Sequence, residues 1–277
     1  MIHPNRPQAA ADVADHYDEL DPVYRALWGE HVHHGYWMRG DESPVQAVEA
    51  LSDLVAACLV LVPGQRAVDI GCGYGATARR FAARHGVHVT GFTLSAEQAA
   101  HAPPADGVDL RVADWLNNDL PDAAFDRAYA IESSEHMEDK ARFFAEAFRV
   151  LKPGGRLTVC AWLAEEQPSR WRVRHLLEPI CREGRLPSMG SRSDYQALAA
   201  EAGFSQLFYR DISRDVARTW TICARRFARS LVSDPATLRL ALGGRNRLFA
   251  LSLPRLILAY RTGAMRYGIF TWERPAG

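Results

Sequence analysis

Residues suited to acid–base chemistry are concentrated in one short stretch, Glu132-Ser133-Ser134-Glu135-His136. It follows Phe125–Ile131, a segment with an apolar second half and the length of a strand. A carboxylate beside an imidazole can move a proton near neutral pH, and it is expected to keep the imidazole protonated to higher pH. Surface loops often carry such residues without a role, but the end of a central strand is where an α/β sheet binds its ligand. Glu135 and His136 are therefore candidate catalytic residues.

A glycine-rich turn forms the second candidate site, within the run RAVDIGCGYGATARR at residues 66–80. The run predicts a strand, a turn and a helix, which in this order are the first unit of a doubly wound sheet. Glycine allows the backbone to approach a ligand closely, because no Cβ stands in the way. A tight turn without a ligand is the less favoured interpretation at this density of glycine. The candidate ligand-binding residues here are Asp69, Gly71, Cys72 and Gly73.

The turn is compatible with two kinds of cofactor. Its Gly71-x-Gly73-x-x-Ala76 spacing also satisfies a dinucleotide fingerprint, although one match is weak evidence. A nicotinamide ribose usually requires an acidic residue about 20 residues further on, and the next predicted strand, Val87–Phe92, ends without one. The carboxylate of Asp69 instead suits the cationic amino group of a cofactor that carries an amino acid. A nicotinamide-dependent oxidoreductase is therefore disfavoured.

A third strand end presents Asp114 and Trp115, directly after the predicted strand Val108–Ala113. A carboxylate there can accept a hydrogen bond from an adenine amino group, and an indole offers a face for the ring. A helix cap and a core tryptophan are an equally good interpretation of the two residues taken alone. Combined with the glycine turn, they favour a cofactor that contains adenosine.

The chain resembles class I S-adenosylmethionine-dependent methyltransferases, whose first motif has the form of residues 66–80. Within that class it is similar to tocopherol methyltransferases and, more distantly, to cyclopropane fatty acid synthases. The likeness covers nearly the whole chain and is carried by His16-Tyr17-Asp18, HVHHGYW at 31–37, TLSAEQ at 93–98, I-x-x-x-E-H at 131–136, LKPGG at 151–155 and residues 259–270. The resemblance implies S-adenosyl-L-methionine as the cofactor.

The resemblance also implies roles for individual residues. It places Tyr17, His34 and Tyr36 near the methionyl end of the cofactor, Thr93, Leu94 and Gln98 at its sugar, Ile131 and Glu132 beside it, and Glu135 and His136 near the reacting centre. Two simpler interpretations stay open. Ser95 and Gln98 also have the spacing of a helix-capping box, and Tyr17, Tyr36 and above all Trp37 also suit the packing of a helix onto the sheet.

Three histidines in four residues, at positions 31, 33 and 34, raise the alternative of a metal site. Adjacent histidines rarely face one ion, and no carboxylate or cysteine partner has a familiar ligand spacing. We expect no metal, and interpret residues 29–37 as a polar, aromatic-rich entry segment.

The elements that must position these residues predict a doubly wound α/β fold. We expect a seven-stranded, mostly parallel sheet with helices on both faces and an antiparallel last strand. The fifth strand is expected at Arg156–Trp162, the seventh at Gly268–Glu273, and an early helix at Ala11–Leu20, after a loosely packed start. The chain is predicted to be a single methyltransferase domain, 1–277, with an N-terminal helical flap at 1–42, a cofactor-binding core at 43–211, a helical cap or lid at 212–263 and the last strand at 264–277.

An apolar stripe at helical spacing follows the sixth strand and consists of Ile212, Val216, Trp220, Cys223, Phe227 and Leu231. Such a stripe more often packs in a core than lines a substrate site. It lies between the sixth and seventh strands, however, where enzymes of this class insert a lid. Its apolar and aromatic side chains indicate a hydrophobic small-molecule acceptor.

Composition limits the remaining functions. A balance of 33 basic and 33 acidic residues gives no indication of nucleic-acid binding. Residues 1–60 hold ten acids and three arginines, and residues 212–277 hold three acids and twelve arginines, which we interpret as two solvated faces or two ends that attract each other. Five cysteines without CxxC spacing indicate reduced thiols in the cytoplasm, and no apolar run is long enough to span a bilayer. A homo-oligomer is compatible with all of this.

The function predicted is an S-adenosylmethionine-dependent methyltransferase that modifies a carbon or an oxygen of an isoprenoid, polyketide or aromatic secondary metabolite. A cyclase of the same fold that binds the cofactor without transferring methyl would keep every adenosine motif, and it stays open as the alternative. A non-enzymatic binding protein would have little reason to place carboxylates beside the reacting methyl group.

Overall fold

Seven strands form one sheet at the centre of the molecule, in the order β3-β2-β1-β4-β5-β7-β6. The computed structural model describes residues 1–5, 8, 13, 18, 30–233 and 247–276. The strands are β1 Arg66–Ile70, β2 His88–Thr93, β3 Val108–Val112, β4 Phe125–Ile131, β5 Leu151–Ala164, β6 Ser205–Asp211 and β7 Met265–Glu273. The pairs from β3 to β5 are parallel, and β7 runs antiparallel to both β5 and β6. The predicted fold class is confirmed.

Helices cover both faces of this sheet. They are α1 Pro44–Leu59, α2 Ala76–His85, α3 Ala96–His101, α4 Lys140–Val150, α5 Arg192–Glu201, α6 Arg218–Ser233 and α7 Arg247–Thr262. Shorter helical segments are Trp115–Asn117, Ser134–His136, Arg170–Arg172, Val173–Leu177, Glu178–Glu183 and Ser213–Val216.

Alternation along the strands sends side chains to two separate cores. Val68 and Ile70 pack with Phe143 and Phe144 of α4 on one face, whereas Ala67 packs with α1 and α2 on the other face. Helix α1 begins with a capping box: the Ser43 side chain accepts a hydrogen bond from the Gln46 backbone N–H, and the Gln46 side chain accepts one from the Ser43 backbone N–H. Because successive residues of a strand point to opposite faces, one strand supplies both cores.

The predicted apolar stripe is buried, as a core stripe should be. Ile212, Val216, Trp220 and Cys223 are each less than 5% exposed. The part of the stripe on α6 packs against α7 and against Leu177 of the preceding helical segments. Two helices, α6 and α7, therefore lie between β6 and β7 and form a third apolar cluster above the carboxyl ends of the sheet.

Two predicted strand boundaries and one prediction about packing need correction. Strand β5 begins at Leu151, five residues early, because the Lys152–Gly155 stretch forms a bulge: Phe125 pairs with Leu151 and Arg127 with Arg156. Strand β7 begins at Met265, where it pairs with the end of β5. The start of the chain is not loosely packed, since Ile2 exchanges two backbone hydrogen bonds with Met189. The predicted helix at Ala11–Leu20 lies outside the described residues, apart from positions 13 and 18.

None of the helices in the described part of the chain has both the length and the apolar character needed to cross a membrane. All five cysteines are free thiols, and three of them, Cys160, Cys181 and Cys223, are buried.

Candidate cofactor and reaction site

A cleft of about 690 Å³ opens where β1, β2, β3 and β4 end. The predicted residues that line it are Gly71, Gly73, Thr93, Leu94, Gln98, Asp114, Trp115, Ile131, Glu132 and His136. A smaller cavity of about 360 Å³ is lined by Asp69 and Cys72 and shares Gly71, Gly73 and Ile131 with the cleft. Because parallel strands end at the same edge of the sheet, four separate sequence motifs converge on one adjoining pair of cavities.

Two glycines of the turn are needed for different reasons. Gly71 has φ of +83°, and a Cβ there would lie 2.3 Å from the Cβ of Ser133, so no side chain can be accommodated. Gly73 also has positive φ, but a Cβ there would meet only the side chain of Gln98, at 3.8 Å. Gly71 therefore permits packing of the turn, whereas Gly73 keeps space free at the cavity.

Asp69 is a buried carboxyl group at the end of β1, with 3% of its surface exposed. Burial raises its pKa to about 7, although the nearby hydroxyl of Tyr129 opposes the shift. Burial and the charge of Asp69 also raise the pKa of the Cys72 thiol, which makes it a poor nucleophile. A cationic group in the smaller cavity would favour the ionised form of Asp69.

The segment after β2 shows that Gln98 does not complete a capping box, and its contact with the cofactor stays a prediction. Ser95 Oγ accepts a hydrogen bond from the backbone N–H of Gln98 at 3.0 Å, so Ser95 caps α3. The return arm of a capping box is absent, because the Gln98 side chain accepts a hydrogen bond from the hydroxyl of Thr93 at 3.2 Å. The Gln98 amide is thereby held beside Gly73, where it lines the cleft.

The helix-cap and core interpretations of Asp114 and Trp115 are confirmed, and the contact with adenine stays a prediction. Asp114 caps a short helical turn, accepting from the Leu116 backbone at 2.9 Å and from Asn117 at 2.7 Å. Trp115 is 2% exposed and packs edge-to-face on Phe92, with ring centroids 5.6 Å apart. Each residue also lines the cleft. Structural roles and a role in adenine recognition are therefore compatible for this pair.

Glu132 has all of its acceptor positions occupied by protein donors. Its carboxylate accepts from the backbone N–H and Nδ1 of His34, at 2.6 and 2.8 Å, from the indole of Trp162 at 2.9 Å and from the phenol of Tyr267 at 2.7 Å. A carboxylate offers about four lone-pair sites. Glu132 would therefore have to give up a partner to bond a ligand, and we call Glu132, His34, Trp162 and Tyr267 the Glu132 junction.

At the centre of the Glu132 junction, the backbone of Glu132 is strained and its carboxylate is ionised. Glu132 has φ of +55°, which side chains other than glycine rarely adopt. Burial alone would raise the pKa of Glu132, but the charge and hydrogen bonds of His34 outweigh it and lower the pKa to about 2. The carboxylate is thus ionised at any physiological pH, and its four donors hold the strained backbone in place.

Aromatic rings enclose His34 on several sides. The rings of Trp162, Trp220 and Tyr267 lie with centroids 5.6, 5.0 and 5.1 Å from the imidazole. Tyr260 of α7 approaches His34 Nε2 with its hydroxyl at 3.4 Å. These aromatic partners come from β5, α6, β7 and α7, and the sequence patterns did not single them out as neighbours of His34.

Glu135 and His136 occupy different positions relative to the cleft. His136 lines it together with Met137, whereas the carboxylate of Glu135 turns inward and accepts from the Trp162 backbone at 2.5 Å and from Ser134 at 3.0 Å. Burial raises the pKa of Glu135 to about 7. Burial lowers the pKa of His136 to about 4, although a backbone hydrogen bond with Arg185 opposes this shift.

The expectation that a neighbouring carboxylate keeps His136 protonated is therefore wrong. Glu135 makes its hydrogen bonds to Trp162 and Ser134, and the desolvation of a buried imidazole is larger than the attraction of any nearby carboxylate. His136 is neutral at pH 7, which is the form that can accept a proton.

The structure does not bring every predicted residue to the cleft. Tyr36 is 4% exposed, packs in the core on the α1 side and bonds the backbone of Ala47 at 2.8 Å. His34 faces Glu132 and the aromatic rings rather than either cavity. Tyr17 lies outside the described residues. Contact of all three with the cofactor stays a prediction.

Several lining residues were missed by sequence reasoning. Val13, Val32 and Met137 supply apolar walls, and Ser133 covers Gly71. Met137 directly follows the candidate catalytic pair, so its position was available from the sequence. Val32 carried no recognisable signal, because an isolated apolar residue in a loop has no periodicity, and Val13 lies in a segment that was predicted only as a helix.

The histidines at the entry segment bond each other. His31 Nδ1 lies 3.2 Å from His33 Nε2, and burial lowers the pKa of His31 to about 3. Within residues 30–233 and the other described parts of the chain, no group of three or more potential ligands is arranged to hold a metal ion.

Comparison with known proteins shows one consistent likeness. A family model described as mycolic acid cyclopropane synthetase matches residues 5–234. A probable chloroplastic tocopherol O-methyltransferase of Oryza sativa subsp. japonica is 30% identical over 284 residues, which cover 95% of this chain and 78% of that protein. The 27-O-demethylrifamycin SV methyltransferase of Amycolatopsis mediterranei (strain S699) is 35% identical over 228 residues, which cover 78% of this chain and 82% of that protein.

A solved structure extends the likeness to three dimensions. The crystal structure of the (4+2)-cyclase SpnF superposes with a TM-score of 0.81 and 29% sequence identity, and covers 99% of both chains. The match therefore includes helices α6 and α7 as well as the sheet.

Proposed function

Because this chain belongs to the mycolic acid cyclopropane synthetase family and is an S-adenosylmethionine-dependent methyltransferase, we propose that it methylates a carbon or an oxygen of a small hydrophobic acceptor. The acceptor class would be an isoprenoid, a polyketide or an aromatic secondary metabolite. The observation that carries this proposal is that His136 lines the same cleft as the apolar side chains of Val13, Val32 and Met137. We place the enzyme in the cytoplasm, where its five free cysteines would stay reduced.

The residues of the two cavities fit the cofactor. Asp69 would bind the cationic amino group of the cofactor, and Gly73 would allow the cofactor to approach the backbone closely. Asp114 and Trp115 would border the adenine. When bound, S-adenosylmethionine supplies an electrophilic methyl group carried on a sulfonium. The protein contributes alignment of the acceptor and exclusion of water.

His136 is the side chain best placed to take a proton from the acceptor. It lines the cleft and is neutral at pH 7, because burial lowers its pKa to about 4. Glu135, the preceding residue, is bonded to Trp162 and Ser134, and burial raises its pKa to about 7, which makes it the second candidate for the base. General-base catalysis by either residue would contribute about 10²–10⁴-fold to the rate.

We also propose that residues 1–42 and 212–263 act together as the cover of the site. The supporting contacts join the two segments directly: Thr219 Oγ accepts from the Gly35 backbone at 3.0 Å and from the Trp37 indole at 3.1 Å. The Trp37 backbone bonds the carbonyl of Asp215 at 2.9 Å. Such a cover would shield the cofactor from water.

The test is methyl transfer from radiolabelled cofactor to a panel of prenylated phenols, polyketides and indoles. Transfer to a hydrophobic member that falls at least tenfold in His136→Ala, with S-adenosylhomocysteine affinity kept within a few-fold, is the expected result. His101→Ala, at an exposed position of α3, serves as the matched control. Labelling of polar acceptors alone would contradict the proposed acceptor class.

The likeness to SpnF favours a cyclase as the second candidate, since the cleft and the cap would serve either reaction. A chain that binds S-adenosylhomocysteine, labels no member of the panel and cyclises a polyene without consuming cofactor would support that alternative. Turnover of labelled cofactor would exclude it.

A further inference from the structure

Lysine is almost absent from this chain, and one of its two lysines is buried beside the candidate catalytic residues. Of 33 basic residues only Lys140 and Lys152 are lysine. Lys152 is half-exposed and pairs with Asp126 at 2.7 Å. Lys140, the first residue of α4, is 3% exposed. Burying an ammonium group is costly unless its donors are satisfied, so this position requires an explanation.

All three N–H donors of Lys140 have acceptors. Its Nζ donates to the backbone carbonyls of Glu135 and Met137, each at 3.2 Å, and to Ser188 Oγ at 2.8 Å. The two carbonyls flank His136 on either side along the chain. Three acceptors around one nitrogen suit an ammonium group, whereas the planar guanidinium of arginine would present its donors as a fork.

Ser188 belongs to a segment that is itself firmly anchored. The next residue, Met189, exchanges two backbone hydrogen bonds with Ile2, and Gly190 accepts from the backbone of Ala164 at the end of β5. Lys140 therefore ties the Ser134–His136 turn to this anchored segment. The Glu135 carboxylate holds the same turn to the Trp162 backbone of β5.

The charge of Lys140 acts on the same residues as its hydrogen bonds. The titratable groups that face it are Glu135, His136 and Cys181. Burial lowers the pKa of Lys140 to about 8, and the charges of Glu135 and Cys181 oppose this shift. At pH 7 Lys140 is cationic, and its charge adds to the burial that lowers the pKa of His136.

We propose that Lys140 is a positioning residue whose ammonium group fixes the turn that carries Glu135 and His136 by bonding the carbonyls on either side of His136, and whose charge acts on the imidazole. The consequence for catalysis rests on the proposed function, because only a reaction that uses the imidazole as a base depends on where the turn holds it. The effects on the turn and on the imidazole do not depend on any acceptor.

Two substitutions separate the two effects. Lys140→Met removes the donors and the charge, whereas Lys140→Gln removes the charge and keeps amide donors. Lys152→Met, at the other lysine, is the matched control. The readouts are NMR titration of the His136 imidazole, amide hydrogen exchange of residues 134–137, S-adenosylhomocysteine affinity by calorimetry and labelled methyl transfer.

In both Lys140 variants the titration midpoint of His136 should rise by about one pH unit, because a nearby positive charge is lost. Exchange at residues 134–137 should become about tenfold faster in Lys140→Met and change less in Lys140→Gln. Cofactor-product affinity should stay within a few-fold, while kcat for methyl transfer falls in Lys140→Met. None of these values should move in Lys152→Met.

An unchanged midpoint and unchanged exchange in a folded Lys140→Met protein would overturn the proposal and leave Lys140 as a space-filling residue. If that variant does not fold, Lys140→Gln still decides the charge effect and Ser188→Ala decides the anchoring effect, since each leaves most of the contacts intact. Normal results in both would equally refute it. Failure to find any acceptor would count against the proposed function alone, because the NMR and exchange readouts need none.

Discussion

Asp69 shows at the scale of one residue how burial can link protonation to ligand binding. Its carboxyl group sits at the end of β1 with a pKa raised to about 7, well above the ordinary value for aspartate. If it receives the amino group of the cofactor, it must be ionised when the ligand binds. Protonation below pH 7 then competes with binding.

We expect the affinity for S-adenosylhomocysteine to fall by up to tenfold per pH unit below about pH 7, and to be weak and independent of pH in Asp69→Asn. The stability term has the opposite sign: with the pKa raised from 3.8 to about 7 on folding, Asp69 favours the folded state at low pH, and this contribution is lost as pH rises through about 7. Calorimetric titrations from pH 5 to 8.5 measure the first effect. Equal pH profiles for the wild type and Asp69→Asn would show that Asp69 does not contact the ligand, and Asp126→Asn, near the start of β4, is the control.

Gly73 makes a second prediction at the residue scale. Valine there would be strained by about 1–2 kcal/mol, because φ is positive, and its side chain would enter the cleft. We expect Gly73→Val to lose at least about tenfold in S-adenosylhomocysteine affinity, which corresponds to 1.4 kcal/mol.

Gly154 provides the control for backbone strain. It also has positive φ, and a Cβ there would meet nothing within 4 Å. Gly154→Val should lose similar stability in urea unfolding and keep its affinity. Equal affinities in the two variants would mean that Gly73 is a turn residue only.

At the scale of elements, the Glu132 junction connects parts of the chain that are otherwise separate. The end of β4 is joined through one carboxylate to the entry segment, to β5 and to β7. Through His34 it also contacts Tyr260 on α7 and Trp220 on α6. Helices α6 and α7 are thus connected to the strand end that borders the cleft.

Glu132→Gln should destabilise the protein by about 3 kcal/mol or more, because an amide cannot accept from all four donors. Hydrogen exchange should become faster in residues 34–37 and 219–223 and stay unchanged in α4. The folded pKa of about 2 means that the ionised carboxylate stabilises the fold above about pH 4.5 and that this contribution disappears toward pH 2. The variant should lack that acid dependence.

Glu146→Gln, at a partly exposed position paired with Arg149, is the control for the loss of a carboxylate. If exchange in the entry segment and in α6 did not respond to Glu132→Gln, the junction would be a local contact without influence on the cap.

At the scale of the whole molecule, the sheet separates two cores that share no side chains. Val55 of α1 is fully buried in the core on one face, and Val150 of α4 is fully buried in the core on the other. Effects transmitted between such distant sites are small when no partner is shared.

Val55→Ala and Val150→Ala should each lower the free energy of unfolding by about 2 kcal/mol, through lost burial and a residual cavity. The double variant should lose the sum to within about 0.5 kcal/mol. Urea unfolding monitored by tryptophan fluorescence measures all three. A larger coupling would mean that the sheet transmits strain from one face to the other.

The local chemistry of the chain determined the order of strands and helices, the glycine turn and the four strand ends that carry Asp69, Thr93, Asp114 and Glu132. Periodicity, capping and turn residues act over a few neighbours, so they can be recognised in the sequence alone. Parallel strands then bring their ends to one edge, which is why residues predicted from separate motifs line the same cleft.

Only the tertiary structure decided which of these residues are available to a ligand. The partners of Glu132 lie 98, 30 and 135 positions away along the chain, and no local pattern can reveal contacts at such separations. The protonation of His136 was predicted with the wrong sign, because it depends on how much of the folded chain excludes water from the imidazole. Tyr36 lies in the core, which the sequence alone could not decide. An aromatic residue has the same local pattern whether its ring faces a ligand or the protein interior.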